Sequence, residues 1–434
     1  MPLRGHKMHC GTADMANLPK VTLALICYNQ EKYIEQAVNS CLYQDYPNLN
    51  IVVSDDASSD NTVSVVRGLL DIYAGSCDVV VNQNPVNLGI GRHFAFLMEN
   101  LVGGELVVMC AGDDVSKPNR VSRIVQEWLE AGKPSLVAHG LEEIDESGAI
   151  VSGLATFQYN NQDYSIHANN MYSMIEYQKY HFAIHFLGAA VAYRIDTYKS
   201  FGTPVTYPDC EDHLMYFRAL LADGVHYFPE ILVGYRKHEN GWTSQMIKPL
   251  HPMNRTSPFL SFFLDKNGNL AEEYFNCFVT HQIVTQQWHD YLLAVRAEKV
   301  KVDFELVALM RKNMLRRHRF LVGNKELCDD QMDYAPPLKA VIFGTALGAK
   351  NTFYGLGDGF KILYACNTDP DLSEKICFGL KVIDLKQLEL IINEVDCVLV
   401  ASGYFFKIKK LLMEQANVDD RKIIRVPASV IVGD

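Results

Sequence analysis

Two pairs of acidic residues follow apolar runs in the N-terminal half of the chain. Asp55 and Asp56 come directly after IVVS, and Asp113 and Asp114 come after ELVVMC and an Ala-Gly step. Carboxylate oxygens are preferred ligands of hard divalent cations such as Mg²⁺ and Mn²⁺, which bridge and neutralise diphosphate oxygens. Either pair alone would also fit an ordinary turn, so the prediction of a cation and diphosphate site depends on their shared position after apolar runs.

A third acidic cluster, Asp209-Cys210-Glu211-Asp212, opens an amphipathic stretch of helical periodicity. A carboxylate at such a helix start would be able to take the proton from an attacking hydroxyl group. Acidic residues in a first helical turn are also expected from the helix dipole alone. Both interpretations stay open on the residues themselves.

Aromatic and basic residues accompany the acidic clusters. Tyr28 and Asn29 follow the first apolar run; Tyr28 would stack on a nucleotide base, and Asp56 would accept a hydrogen bond from its imide group. Arg236 and His238 follow a later strand-like run, where Arg236 would pair with phosphate and His238 would ligate a metal. A loop histidine with ordinary polar partners is the alternative for His238.

The elements that position these residues alternate between strands and helices. The runs VTLALI, IVVS and VVVN alternate with amphipathic stretches at 32–43 and 62–73, and ELVVMC is a further strand. This rhythm predicts a parallel sheet covered by helices, and ligands bind beyond the carboxyl ends of the strands in such sheets. Asp60 is interpreted as the N-cap of a helix that begins near Thr62.

The remainder of the chain has two further patterns. Residues 270–320 are helical in periodicity, and a strand-glycine-helix pattern begins after Pro336 and Pro337. We therefore predict domains at 20–250, 251–330 and 338–434, the last one small and Rossmann-like. Gly344 and Gly348 lie at its first turn, but Asn367 stands where an acidic ribose-binding residue is expected, so nucleotide binding and a scaffold role both stay open.

Composition narrows the class of protein. The net charge of −11 argues against nucleic-acid binding, and the 11 cysteines form no Cys-x-x-Cys pair. Because the sequence shows neither a run of ~20 apolar residues nor the apolar h-region of a secretory signal, we expect a soluble, cytoplasmic protein. The basic run Arg311–Arg319 would contact anionic lipid at the inner face of the membrane, or else be a solvated face or a contact between subunits of a homo-oligomer.

Six motifs together resemble the family 2 glycosyltransferases, which have the GT-A fold. They are, in order, VTLALICYNQ, IVVSDDASSDNT, NLGIGRHF, LVVMCAGDDVSKPNR, CEDHLMYFRAL and YRKHENGWTS, and they cover about the first 245 residues. The resemblance implies an α/β protein with a Rossmann-like, mostly parallel GT-A sheet. The amino-acid sequences of the third and fourth motifs are most similar to those of family members that build bacterial surface polysaccharides.

The resemblance also implies roles for individual residues. Tyr28 and Asp56 correspond to positions that contact the base, and Arg92 lies in a segment near the donor phosphates. Asp212 corresponds to the general base. The acidic motif is Gly-Asp-Asp rather than a strict Asp-x-Asp, so the first metal ligand stays open between Asp113 and Asp114, and we favour Asp114.

The function implied is inverting transfer of a sugar from a UDP- or dTDP-sugar to a hydroxyl group. The acceptor would be a saccharide or a lipid-linked saccharide in surface polysaccharide or O-antigen synthesis, and the cofactor Mn²⁺ or Mg²⁺. One alternative is a nucleotidyltransferase acting on sugar phosphates, but such enzymes usually have a glycine-rich loop after the first strand, where this chain has CYNQEKYI. The other is a non-catalytic nucleotide-binding assembly protein.

Overall fold

The computed structural model describes residues 18–152, 187–206, 211–239, 241, 272–322, 336–345, 349–350, 352–353, 356, 359–402 and 404–426, with backbone alone for 272–281 and 315–322. The chain divides into two compact units, which we call the first and the second unit. The first comprises Met1–Asn170 and Phe182–Ile283, and the second comprises Met171–His181 and Val284–Asp434. The division into 20–250, 251–330 and 338–434 stays a prediction about which segments fold independently.

The first unit alternates strands and helices up to its fourth strand, as the apolar runs predict. Its strands are β1 (Val21–Cys27), β2 (Leu49–Asp55), β3 (Asp78–Gln83), β4 (Leu106–Ala111), β5 (Val115–Ser116), β6 (Leu136–Ile144), β7 (Ile150–Ser152), β8 (Val191–Arg194) and β9 (Val225–Arg236). Its helices are α1 (Ile34–Leu42), α2 (Thr62–Asp71), α3 (Ile90–Asn100), α4 (Arg120–Glu130), α5 (Ile195–Phe201) and α6 (Glu211–Leu221). A short 3₁₀ turn, Gly188–Ala190, precedes β8.

The described strands of the first unit form one sheet in the order β3-β2-β1-β4-β8-β6-β9-β5, with β7 beside β6. The strands β3, β2, β1 and β4 run parallel, whereas β8 runs antiparallel to both of its neighbours. The central strands β1, β2 and β4 are buried along almost their whole length, which explains their continuous apolar sequences.

The register of these strands brings the acidic pairs to one edge of the sheet. Cys27 pairs with Asp55, and Ile26 pairs with Ala111, so β1, β2 and β4 end side by side. The strand β5 then runs antiparallel to β9, with Val115 opposite Gly234. The residues just before β5 therefore lie beside the end of β9, which carries the Tyr-Arg-Lys-His sequence.

The second unit has two long helices and a smaller sheet. Helix α7 (Glu272–Arg296) begins in the first unit, and α8 (Phe304–Val322) follows it. The strands are β10 (Leu338–Phe343), β11 (Phe360–Cys366), β12 (Ile376–Cys377), β13 (Leu380–Ile383), β14 (Cys397–Val400) and β15 (Ile423–Arg425), in the order β12-β13-β11-β10-β14-β15. Helices α9 (Leu385–Ile391) and α10 (Phe405–Gln415) follow β13 and β14. Neighbouring strands from β13 to β15 run parallel, so the predicted α/β class is confirmed for both units.

Side chains tie the helices to the sheet within the second unit. Trp288 donates a hydrogen bond to Pro336 O at 2.9 Å, and Arg296 pairs with Asp396 at 2.8 Å. Arg311, the first residue of the basic run, is buried with its guanidinium 5.3 Å from the Trp288 ring centroid. The side chains of 315–319 and Gly348 lie outside the described residues. No helix within the described ranges combines the length and apolarity needed to span a membrane.

Candidate active site

An acidic loop, Gly112–Asp114, joins β4 to β5 at the carboxyl edge of the sheet. Asp113 Oδ2 lies 2.9 Å from His238 Nε2, although the two residues are 125 positions apart in the chain. The Tyr33 ring packs against this imidazole, with 4.6 Å between the ring centroids. The structure therefore brings together a carboxylate and an imidazole that the sequence analysis placed in separate motifs.

Asp114 points away from this pair into the protein. Its Oδ1 accepts a hydrogen bond from the backbone N–H of Arg236 at 2.9 Å, while its Oδ2 is buried without a hydrogen-bond partner. Burial raises the pKa of Asp114 well above its usual value, and the negative charge of Asp113 adds to the shift. A cation beside the loop would stabilise the ionised form of this carboxyl.

Gly112 is required by close packing at the end of β1. A Cβ atom on Gly112 would lie 2.7 Å from Cys27 Cβ and would overlap Gln30 Oε1. The backbone N–H of Gly112 also donates to Ile26 O at 2.9 Å. The Ala-Gly step therefore holds the acidic loop against β1, since any larger residue would push it outward.

Arg236 braces the loops around the site. Its Nε donates to Asp113 O at 2.7 Å, and Nη2 donates to Gln36 Oε1 at 2.6 Å. Nη1 donates to the carbonyl oxygens of Asp145 and Glu146 at 2.7 and 2.9 Å. Four of the five N–H groups of this buried guanidinium thus hold protein atoms in place. Its predicted contact with donor phosphate stays a prediction.

Asp56 fixes the loop that precedes α3. Its Oδ1 accepts hydrogen bonds from Asn84 Nδ2 at 2.8 Å and from the backbone N–H of Leu88 at 2.9 Å. Its Oδ2 accepts one from the backbone N–H of Gly89 at 3.0 Å. An ionised carboxylate has about four lone-pair positions, so one position stays open for the predicted base contact. Arg92 follows in the first turn of α3 with an exposed side chain.

Asn29 holds the end of β1 to the segment after β2. It has a left-handed backbone (φ 50°), which asparagine tolerates better than most residues. Its N–H donates to Ser58 Oγ, and its Oδ1 accepts from Ser59 N, both at 2.8 Å. Tyr28, just before it, is half-buried at the same edge. Asp60 Oδ1 accepts from Thr62 N at 3.0 Å. The N-cap residue of α2 is Asn61, so the prediction that Asp60 is the N-cap is wrong by one residue.

Asp212 lies in the first turn of α6, a helix that the periodicity of this stretch predicts. A Cβ atom on Gly188 would lie 2.6 Å from Glu211 Oε1, so the start of α6 contacts the Gly188–Ala190 turn. That turn leads into β8, which pairs antiparallel with β4 and so begins beside the end of β4. Asp212 therefore lies at the same edge as the acidic loop. Asp209 and Cys210 lie outside the described residues.

Two residues at this site, Arg120 and Tyr33, are not among those predicted from the sequence. Arg120 is fully buried, and it donates hydrogen bonds to residues on both sides of the acidic loop, Met109 and Ser116. A cation in the first turn of a helix is unfavourable to the helix dipole, and this was a sequence signal that Arg120 has another role. Tyr33 gave no such signal, because its contacts with His238 and Arg236 depend on long-range packing.

The residues present fit a hard divalent cation. A carboxylate facing an imidazole, with a buried unpartnered carboxylate oxygen on the next residue, offers the oxygen and nitrogen donors that Mn²⁺ accepts. Within the described ranges, no group of three or more His, Cys, Asp or Glu side chains is arranged to hold a metal ion. A cation here would therefore need further ligands from a bound substrate or water, as Mg²⁺ sites commonly do.

Comparisons with known proteins give one consistent result. Residues 22–198 match the profile described as "Glycosyl transferase family 2". An uncharacterized glycosyltransferase of Haemophilus influenzae is 25% identical over 271 residues, which are 58% of this chain and 77% of that protein. The GalNAc(5)-diNAcBac-PP-undecaprenol beta-1,3-glucosyltransferase of Campylobacter jejuni is 42% identical over 52 residues, 12% of this chain and 17% of that protein. The structure of S. aureus TarS 1-349 with UDP-GlcNAc aligns with a TM-score of 0.43 and 17% identity, covering 70% of this chain and 91% of that one.

Proposed function

We propose that this protein, whose residues 22–198 match the model of glycosyl transferase family 2, transfers a sugar from a UDP- or dTDP-sugar to a hydroxyl group with inversion at the anomeric carbon. The acceptor is a saccharide or lipid-linked saccharide of a bacterial surface polysaccharide, and the Campylobacter relative is named as a glucosyltransferase for an undecaprenol-linked saccharide. The observation that carries the proposal is the approach of Asp113 and His238 at the edge where β1, β2 and β4 end.

The donor would lie across the ends of β1 and β2. Tyr28 stacks on the base there, and the remaining lone pair of Asp56 accepts its imide N–H. Asp56 also accepts hydrogen bonds from the backbone of Leu88 and Gly89, so it fixes the loop before α3. It thereby sets where Arg92, in the first turn of α3, lies relative to the donor phosphates. Asn29 and Arg236 support the site through the loops they hold.

Asp113 and His238 are the residues that would hold Mn²⁺ or Mg²⁺. They face each other at 2.9 Å, whereas Asp114 is turned inward onto the backbone of Arg236. The metal, when bound, neutralises charge on the departing diphosphate. Asp114 is the second candidate for a metal ligand, because its buried Oδ2 has no hydrogen-bond partner among the described residues.

Asp212 is the proposed general base. The acceptor oxygen attacks the anomeric carbon from the face opposite the diphosphate, the bond to the diphosphate oxygen breaks, and Asp212 takes the acceptor proton. The half-buried position of Asp212 at the start of α6 keeps it accessible to a substrate at the same edge.

A donor screen tests this function directly. The full chain is incubated with UDP-glucose, UDP-N-acetylglucosamine, dTDP-glucose and GDP-mannose, with Mn²⁺ or with EDTA, and release of nucleoside diphosphate is measured. We expect release with Mn²⁺ for a UDP- or dTDP-sugar and little with EDTA, and NMR of the product should show an inverted anomeric centre. Release of pyrophosphate from UTP and a sugar phosphate would instead identify a nucleotidyltransferase.

A further inference from the structure

Arg120 is a fully buried cation at the start of α4. Its Nη2 donates to Met109 O at 2.9 Å and to Ala189 O at 2.7 Å, and its Nη1 donates to Ser116 Oγ at 3.0 Å. Nη1 also lies 3.3 Å from Cys110 Sγ, and Nε donates to His139 Nε2 at 3.0 Å. All five N–H groups of the guanidinium therefore have acceptors, and none of the acceptors is a carboxylate.

These contacts include residues on both sides of the acidic loop. Met109 and Cys110 lie in the second half of β4, which leads into the loop, and Ser116 lies in β5, which follows it. A planar guanidinium with all its donors engaged fixes the relative position of the groups it binds, which a flexible ammonium group does not. Arg120 thus holds together the two strands that flank the loop bearing Asp113.

The contact with Ala189 extends this bracing to the other side of the site. Ala189 belongs to the Gly188–Ala190 turn, and this turn touches Glu211 at the start of α6, where Asp212 lies. One side chain therefore bonds to the ends of the acidic loop and to the turn that supports the helix of the general base.

We propose that Arg120 is a positioning residue that sets the distance between the diphosphate-binding loop and the general base Asp212. This inference rests on the proposed function. It means that Arg120 acts on the rate of transfer more than on the affinity for donor. The packing of Gly112 against β1 still holds the acidic loop when Arg120 is changed, and the part that shifts is the Gly188–Ala190 turn that supports α6. A misplacement of about 1 Å at a remote support can lower a rate about 100-fold.

The test compares R120K with R123K. Lysine at 120 keeps the charge but cannot bind five acceptors. Arg123 lies on the same helix, and its side chain bonds to Glu230, Glu127 and Gln126, away from the loop. Donor Kd is measured by calorimetry with Mn²⁺ and the best donor of the screen, and kcat of diphosphate release is expressed per donor-binding site. For R120K we expect kcat to fall roughly 10- to 100-fold and Kd to change less than about threefold. R123K should match wild type in both.

Ser116→Ala provides a second variant if R120K does not fold. It removes one acceptor and leaves the guanidinium, so kcat should fall about three- to tenfold at unchanged donor Kd, a fraction of the loss expected for misplacement. A folded R120K with wild-type kcat per binding site, or an S116A enzyme with unchanged kcat, overturns the inference while the transferase function stands. If wild type releases no diphosphate from any donor, the proposed function fails and the inference falls with it.

Discussion

Asp113 and Asp114 are neighbours in the chain but face different surroundings. Asp113 lies 2.9 Å from the imidazole of His238, whereas Asp114 is buried and bonded to the backbone of Arg236. Their types are identical, so the sequence alone could not separate their roles. The geometry favours Asp113 as the cation ligand and gives Asp114 the task of joining the acidic loop to the end of β9.

The two asparagine variants separate these roles. Asp113→Asn should weaken Mn²⁺-dependent UDP binding at least tenfold, about 1.4 kcal/mol, because it removes an anionic ligand. Asp114→Asn changes a carboxyl group that is turned away from His238 and leaves an amide oxygen for the Arg236 N–H, so we expect a smaller loss of UDP affinity. Calorimetric titration of each variant with UDP, in the presence of Mn²⁺ and of EDTA, shows which of the two carboxylates is the metal ligand. A larger loss for Asp114→Asn would show that Asp114 is the ligand, as favoured from the sequence.

Asp212→Asn tests the general base. The catalytic role predicts a loss of about 10²- to 10⁴-fold in transfer rate with donor affinity nearly unchanged. A helix-dipole role alone predicts a stability loss of only about 0.3–1 kcal/mol and near-normal turnover. Diphosphate release and a melting curve are measured together, with Glu211→Gln as the matched control on the same helical turn. If Asp212→Asn keeps more than a tenth of the wild-type turnover, Asp212 is not the general base and another residue has that role.

Among the elements, the tight join between β1 and the acidic loop has the largest consequence for the site. The loop follows a strand in register with β1, and its Gly112 N–H bonds to Ile26 O at 2.9 Å. The position of Asp113 therefore depends on the absence of a side chain one residue earlier. Such a dependence is a property of the strand pair and is not visible in either strand alone.

Gly112→Ala should displace the acidic loop and weaken metal-dependent donor binding. The added Cβ would stand 2.7 Å from Cys27 Cβ, which belongs to a buried central strand and cannot move aside freely. We expect UDP affinity with Mn²⁺ to fall about tenfold or more, with a stability loss of about 1–3 kcal/mol.

Gly68→Ala is the matched control for this substitution. Gly68 lies inside α2 with open space around its Cα, so alanine there should stabilise the protein by about 0.5–1 kcal/mol and leave binding unchanged. Calorimetry and thermal melting are run on both variants. Unchanged UDP affinity in Gly112→Ala would mean that the close packing does not set the loop position.

Across the whole molecule, the sequence predicted the sheet and the site's edge better than the roles of individual residues. Central parallel strands are apolar along their length because both faces are buried, so β1, β2 and β4 could be located from the chain alone. The hydrogen bonds by which Arg236 holds these loops could not be predicted, because its acceptor Gln36 is 200 residues away in the chain. Which loops meet at an edge is set by tertiary packing, and residue type does not report it.

Two buried histidines of the first unit should make the stability of the whole protein sensitive to mild acid. His139 accepts a hydrogen bond from Arg120 through Nε2 and donates through Nδ1 to Gly140 O, so it is neutral. Burial and the positive charge of Arg120 hold the pKa of His139 well below its usual value. Burial also lowers the pKa of His93, although Asp56 and Asp55 oppose the shift.

The sign of the effect follows from proton binding. Below about pH 6.5 the unfolded chain protonates these histidines while the folded protein does not, so stability falls as the pH decreases from 6.5 toward the lowered pKa. Each such group changes the free energy of unfolding by at most about 1.4 kcal/mol per pH unit, so His139 alone removes at most about 2 kcal/mol between pH 7 and pH 5. The raised pKa of Asp114 acts in the opposite direction, since its protonated form is favoured in the folded state.

Comparison of variants separates these contributions. Urea unfolding is measured at pH 7, 6 and 5 for wild type, His139→Gln and Asp114→Asn. Glutamine at 139 can still accept from Arg120 but does not titrate, so the loss of stability between pH 7 and pH 5 should shrink by up to about 2 kcal/mol. Asp114→Asn should steepen the loss instead, because the group that opposes it is gone. An unchanged pH slope in His139→Gln would show that His139 takes up protons in the folded protein as it does in the unfolded chain, and that its bond with Arg120 is not the one that the structure describes.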